Sequence, residues 1–161
     1  MKTKLITSII LLSFFTLSAQ SKFSIGASGG SISVGDETGT NYKLDLFYLA
    51  TETIEYQASF IKSDIEANNI DFDMYLINLG IGLNVFKSDK TELQPIMGFS
   101  FVSFNEDLNL ENNSDLGAYF GANVILDISK KINYGFNTQI TYARHSPGGI
   151  LQANLFIRYK F

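Results

Sequence analysis

The sequence predicts an all-β protein, an eight-stranded antiparallel up-and-down transmembrane β-barrel, and three observations carry that expectation. Apolar and polar residues alternate with period two over eight separate segments. No apolar run beyond the N-terminus is long enough for a membrane-spanning helix, which needs ~20 residues. The connections between segments alternate between short and long, as in barrels whose strands run up and down through a bilayer.

The N-terminus reads as a secretory signal. Lys2 and Lys4 give a positive start, Leu5 to Leu17 is apolar, and Ser18-Ala19 offers a small-residue cleavage site. This divides the chain into a signal peptide over 1–19 and one barrel domain over 20–161. There is no cysteine, which excludes a disulfide-stapled fold and a lipid-attachment thiol. Without Lys2 and Lys4 the remaining chain has 10 basic and 16 acidic residues, a net charge of −6. Nucleic-acid binding is disfavoured, since its footprint is a basic patch.

The strands are expected at Lys22–Ser31, Tyr42–Ala50, Ile54–Lys62 and Phe72–Phe86, then Leu93–Phe104, Leu116–Ile128, Ile132–Ala143 and Ile150–Phe161. The seventh is the clearest. Ile132, Tyr134, Phe136, Ile140 and Tyr142 share one face, and Asn133, Gly135, Asn137, Gln139 and Thr141 share the other. A helix would space its apolar residues three and four apart instead. Short turns are expected at Thr51–Thr53, Lys87–Thr91 and Ser129–Lys131. Longer loops are expected at Ile32–Asn41, Ser63–Asp71, Asn105–Asp115 and Arg144–Gly149, with the short turns on the periplasmic side.

Alternation alone does not say which face points out. Here the polar faces are Asn, Gln, Gly, Ser and Thr rather than the Lys and Glu of a water-facing strand, and only 17% of the chain is charged. Glycines such as Gly80, Gly82, Gly98 and Gly135 suit the crowded interior of eight strands. Aromatic residues gather near strand ends, as at Tyr42, Phe60, Tyr134, Tyr142 and Tyr159, which fits two interfacial girdles. The apolar face is therefore expected outward, with Leu79, Ile81 and Leu83 against lipid and Asn78, Gly80 and Gly82 in the lumen. A soluble lipocalin-like carrier, apolar side inward, is the weaker alternative.

Ala153, Leu155, Ile157 and Tyr159 alternate up to a terminal Phe161. This resembles the last strand of Gram-negative outer-membrane barrels, and the whole chain after the signal resembles the small OmpA/OmpX-type barrels in strand number, loop pattern and terminus. The resemblance implies a location in the outer membrane, contact with its lipid and lipopolysaccharide, and delivery to the barrel assembly machinery through the strand ending at Phe161. A monomer is expected. Phe156, Met74 and Leu76 depart from the pattern by placing bulky apolar groups inward.

The one histidine stands in a predicted loop as His145-Ser146-Pro147. Some barrels of this size act on lipid A through Ser and His, but such a site needs a third group orienting the imidazole. No Asp or Glu follows Asp127, and a Pro/Gly-bounded loop explains the pair equally well. The acidic loop residues, Asp64 and Glu66 among them, lack the ligand spacing of a calcium loop. No catalytic, cofactor-binding or metal site is assigned. The expected role is non-enzymatic: an anchored barrel whose loops serve envelope integrity, adhesion or surface contact. A lipid A-modifying enzyme using His145 and Ser146, and a narrow solute channel, are the alternatives.

One further expectation concerns the lumen. Glu55, Asp127, Arg158 and Lys160 all fall on the inner register near the short turns, and Lys43 and Asp45 form a smaller inward pair. Isolated charges there would be heavily penalised, so the acids and bases should pair and close that half of the barrel.

Overall fold

In the computed structural model of this chain, residues 22–67, 70–104, 114–144 and 148–161 are described. The expected signal segment, His145, Ser146 and most of the 105–115 loop lie outside them. The elements are β1 (Phe23–Val34), β2 (Glu37–Leu49), β3 (Ile54–Ala67), β4 (Ile70–Leu83), β5 (Phe86–Lys87), β6 (Thr91–Phe104), β7 (Ser114–Asp127), β8 (Ile132–Ala143) and β9 (Ile150–Lys160). All pairings are antiparallel and join sequence neighbours, except that β4 and β5 both pair with β6 and not with each other, and β9 returns to pair with β1. The sheet is a closed barrel with no free lateral edge, in which β4 and the two-residue β5 together make the fourth of eight staves.

That fourth stave is interrupted, whereas the alternation predicted one strand over Phe72–Phe86. Gly82 pairs with Ile96, but Phe86 pairs with Leu93, so the β4–β5 side holds one residue more than β6. This is a bulge, and it lies opposite Pro95, which has no N–H to give the ladder. Asn84 turns aside there, its backbone N–H donating to Thr53 O at 2.8 Å and its amide to Glu52 O at 3.2 Å.

The outer surface is apolar through the middle of the barrel. Leu79 is 59% exposed and Leu155 71%, with Leu44, Phe99, Phe120 and Ile157 also facing out. Asn78, one residue from Leu79, is 1% exposed. The expected orientation therefore holds: apolar out, polar in. Tyr42, Phe60 and Tyr142 edge the belt toward the loops, and Tyr56, Tyr134, Tyr159 and Phe161 edge it toward the short turns. A belt this continuous would be an aggregation surface in water and is at home in lipid.

Two expected loops are strand instead. Ile32–Asn41 was expected as a long connection, but β1 runs to Val34 and β2 starts at Glu37, leaving only Gly35-Asp36 as the turn. Gly35 has φ of 61°, the left-handed conformation that tight hairpins require and glycine adopts without cost. Ser63–Asp71 is likewise mostly strand, with Ala67 paired to Ile70. Outward positions there are polar, as at Thr38, Thr40, Asp64 and Glu66, and the inward ones, Ile32, Val34, Ile65 and Phe72, are apolar. Beyond the belt the alternation continues with its phase reversed, which is the pattern of a water-exposed barrel.

Candidate functional site

The lumen is the one interior this fold offers, and the phase reversal divides it in two. At the loop end the inward side chains form an apolar plug: Ile32, Ile61, Met74, Leu76, Val102 and Ile150 are at most 2% exposed and pack together with Ile65, Phe72 and Phe104. β1, β3, β4, β6 and β9 contribute through the same period-two geometry that points their belt residues outward. Met74 and Leu76 sit on β4 beside Val102 on β6, in the register Leu76↔Val102. The plug fills this end by interdigitation, as small barrels must.

Toward the short turns the lumen is polar. Gln94 of β6 is its hub. Its amide N–H groups donate to Glu55 at 3.1 Å and to Asn84 at 3.0 Å, and its carbonyl accepts from Asn123 at 2.8 Å. Asn123 in turn accepts from Asn137 at 2.6 Å, and Asn137 accepts from Asn154 at 3.4 Å. The amides thus run in one direction around β9, β8, β7 and β6, each donating to the next, and end on the Glu55 carboxylate. A chain so aligned polarises each member in the same sense.

The charges expected here are present and sorted into pairs. Arg158 Nη2 meets Glu55 Oε1 at 2.5 Å with both side chains buried. Lys160 reaches Asp127 at 3.4 Å, each about a third exposed. Lys43 and Asp45 pair at 3.1 Å, and Ser59 donates to the same carboxylate. The guanidinium of Arg158 also lies 3.5 Å over the ring of Phe47, a lumenal aromatic that the sequence reading did not single out. On the inner side of Arg158 the free space is about 10 Å³, bordered by Lys43, Asp45, Asn123, Phe156 and Arg158. That is room for about one water.

Glycine allows this packing. A Cβ on Gly98 would meet Leu79 O and sit 2.8 Å from the ring of Tyr119, so the Tyr119 side chain lies along the inner wall over bare backbone. Phe156 lies against Gly135 in the same way. Side-chain amide atoms of Asn78, Gln139 and Gln152 have no protein partner. Buried amides of this kind are normally satisfied by internal water, so the layer between plug and ion pairs is polar but tightly confined.

No protein-family model matches this sequence, and no curated protein matches it significantly. The fold has clear counterparts among solved structures. It is similar to Neisserial surface protein A, NspA, with a TM-score of 0.68 and 12% identity over 88% of this chain and 98% of that one. Ail, the attachment invasion locus protein of Yersinia pestis, gives 0.57 and 14% over 87% and 97%. The outer membrane enzyme PagL gives 0.57 and 15% over 86% and 99%. The fold is that of the small outer-membrane barrels, as the strand number and the terminal strand led one to expect.

Proposed function

We propose that this chain is a non-conducting, non-enzymatic barrel of the outer membrane that anchors a surface-exposed end and works through what that end presents. The observation that carries the reading is the double closure of the lumen. An apolar plug fills the loop half and a paired, hydrogen-bonded layer fills the other, so the interior serves as a core rather than a conduit. The polar outer face of the strand extensions, with Lys62, Asp64 and Asp73 beyond the belt, supports the same reading by raising the loop end clear of lipid. Its partners in this reading are outer-membrane lipid, lipopolysaccharide and the assembly machinery that receives the strand ending at Phe161, and it acts as a monomer. The signal over 1–19 would direct its export.

Purified protein in planar bilayers tests the proposal. The expected result is no stable conductance, with a heat-shifted band on gels showing that the barrel is folded. Reproducible single-channel currents would overturn it in favour of the channel reading. The fold of PagL shows that catalysis can be built on such a barrel, so lipid A is the second readout. Mass spectra of lipid A should be unchanged on expression. Loss of an acyl chain that requires both His145 and Ser146 would establish the enzyme instead.

A further inference from the structure

At the short-turn end the barrel opens into a hollow of about 400 Å³, and we infer that this hollow binds a phosphate-bearing anion. Its walls carry Lys87, Lys130, Lys131 and Lys160, and Arg158 closes its floor. Only two side-chain carboxylates, Glu55 and Glu92, share the lining with the α-carboxylate of Phe161, and both are engaged: Glu55 with Arg158, Glu92 with Lys87 at 2.9 Å. Asp127 beside the hollow pairs with Lys160. Lys130 has no ion pair among the described residues, and the ammonium of Lys131 has only the Tyr159 ring, 5.9 Å away. The Arg158 Nε–H is buried without a protein partner.

These cations are held in place rather than scattered. Ser129 Oγ accepts the backbone N–H groups of Lys131 and Ile132 at 3.3 and 3.0 Å, which fixes the turn bearing both lysines. Lys160 N–H donates to Lys131 O at 2.7 Å, so the two lysines stand side by side on adjoining backbone. A concave, cation-lined site with low-dielectric walls concentrates anions. Lysine serves phosphate as a movable point charge, and two ammonium groups that lack a carboxylate can meet one phosphate together. Leu49 and Phe161 add an apolar edge beside the outer belt. The volume suits a small molecule rather than a polymer. The ligand is therefore a phosphate-bearing anion, either free in solution or as the headgroup of a lipid in the adjoining leaflet.

The test uses the whole folded barrel and follows the backbone amides of Lys131 and Ile132 by NMR. Inorganic pyrophosphate is titrated in uncharged detergent, and nanodiscs of phosphatidylcholine are compared with nanodiscs containing phosphatidylglycerol. Lys130→Glu/Lys131→Glu is the test variant, and Lys22→Glu/Lys90→Glu, with equal charge change at the same end but outside the hollow, is the control. Both substitute exposed residues, and heat-shifted mobility confirms folding. The test variant should weaken binding by about tenfold or more, given the usual strength of charge-assisted hydrogen bonds, and the control by far less. Saturable shifts with pyrophosphate identify a free phosphate anion. Shifts only with phosphatidylglycerol identify a lipid headgroup. If neither probe moves these amides, or if the control variant weakens binding as much as the test variant, the site does not exist.

Discussion

The two halves of the lumen close the same barrel by opposite chemistry. At the loop end Met74, Leu76 and Val102 exclude water by packing, and any one of them can shrink without stranding a polar group. At the short-turn end Glu55, Gln94 and Arg158 close the space by satisfying one another, so each depends on its partners. The polar half should therefore be the more brittle when one member is lost and the more tolerant when partners are removed together. Strand geometry explains why the halves differ. Inside the belt the outward positions must be apolar, which leaves the lumen to polar residues; beyond the belt the outward positions meet water and the lumen takes the apolar ones.

The largest effect is expected at Arg158. Arg158→Ala leaves the buried Glu55 carboxylate with Gln94 alone and removes the cation over Phe47, a loss of ~3–5 kcal/mol. The double change Glu55→Leu/Arg158→Met should restore most of it, because no uncompensated charge remains. Urea unfolding of the barrel in lipid vesicles measures both. A single variant of unchanged stability, or a double variant no better than the single, would show that the pair is not held away from water. Neither variant should conduct, because the apolar plug still fills the other half.

Leu76→Ala in the plug comes next. A fully buried leucine cut to alanine costs ~2–5 kcal/mol, depending on how far Ile61, Met74 and Val102 can close the gap. Bilayer currents should stay absent here as well. Current is expected only when Arg158→Ala is combined with truncation of Met74 and Val102. A conducting Leu76→Ala protein would mean that the plug alone holds the barrel shut.

On the outer belt Leu79→Arg should cost ~2–4 kcal/mol if the position lies near the bilayer midplane. A lipid-soluble probe should label a cysteine at position 79 and spare one at position 78. The reverse labelling would turn the barrel inside out.

The belt was legible in the sequence because its signal repeats: Ile77 and Leu79 against Asn78 and Gly80 is a pattern that only an alternating strand produces. The lumenal charges were legible for the same reason, since register alone puts Glu55 and Arg158 on the inner face. What escaped was the phase reversal. In β1 the apolar residues occupy Phe23, Ile25 and Ala27, then shift to Ile32 and Val34, and the Ser/Gly stretch between them hides the change. A polar outer face was thus mistaken for loop. The directed amide chain could not be read either. Asn154, Asn137, Asn123 and Gln94 are distant in sequence and meet only through the stagger of four strands. His145 and Ser146 fall outside the described residues, and their chemistry rests on the lipid A measurement.

The smallest expected effect comes from a matched pair that the fold places on opposite sides of its wall. Lys43–Asp45 and Lys62–Asp64 have the same residue types and spacing, at 3.1 and 3.0 Å. The first is about 5% exposed in the lumen, and the second is 42% and 48% exposed beyond the belt. Hydrogen bonding to Lys62 lowers the Asp64 pKa, and the same bond raises that of Lys62. The Asp64 contribution is therefore present above the ordinary carboxylate range and lost as pH falls through its depressed value. The Lys62 contribution is present below the ordinary ammonium range and lost as pH rises through its elevated value. Between about pH 5 and 10 the pair should add a flat term, and a small one, because water and salt screen it. Lys62→Met should thus leave the unfolding midpoint unresolved from the unmodified protein, in low salt and in high. Lys43→Met, which strands Asp45 with only Ser59, should lower it clearly in both. Equal losses from the two substitutions would mean that burial does not separate the pairs, and the division between lumen and outer surface would have to be redrawn.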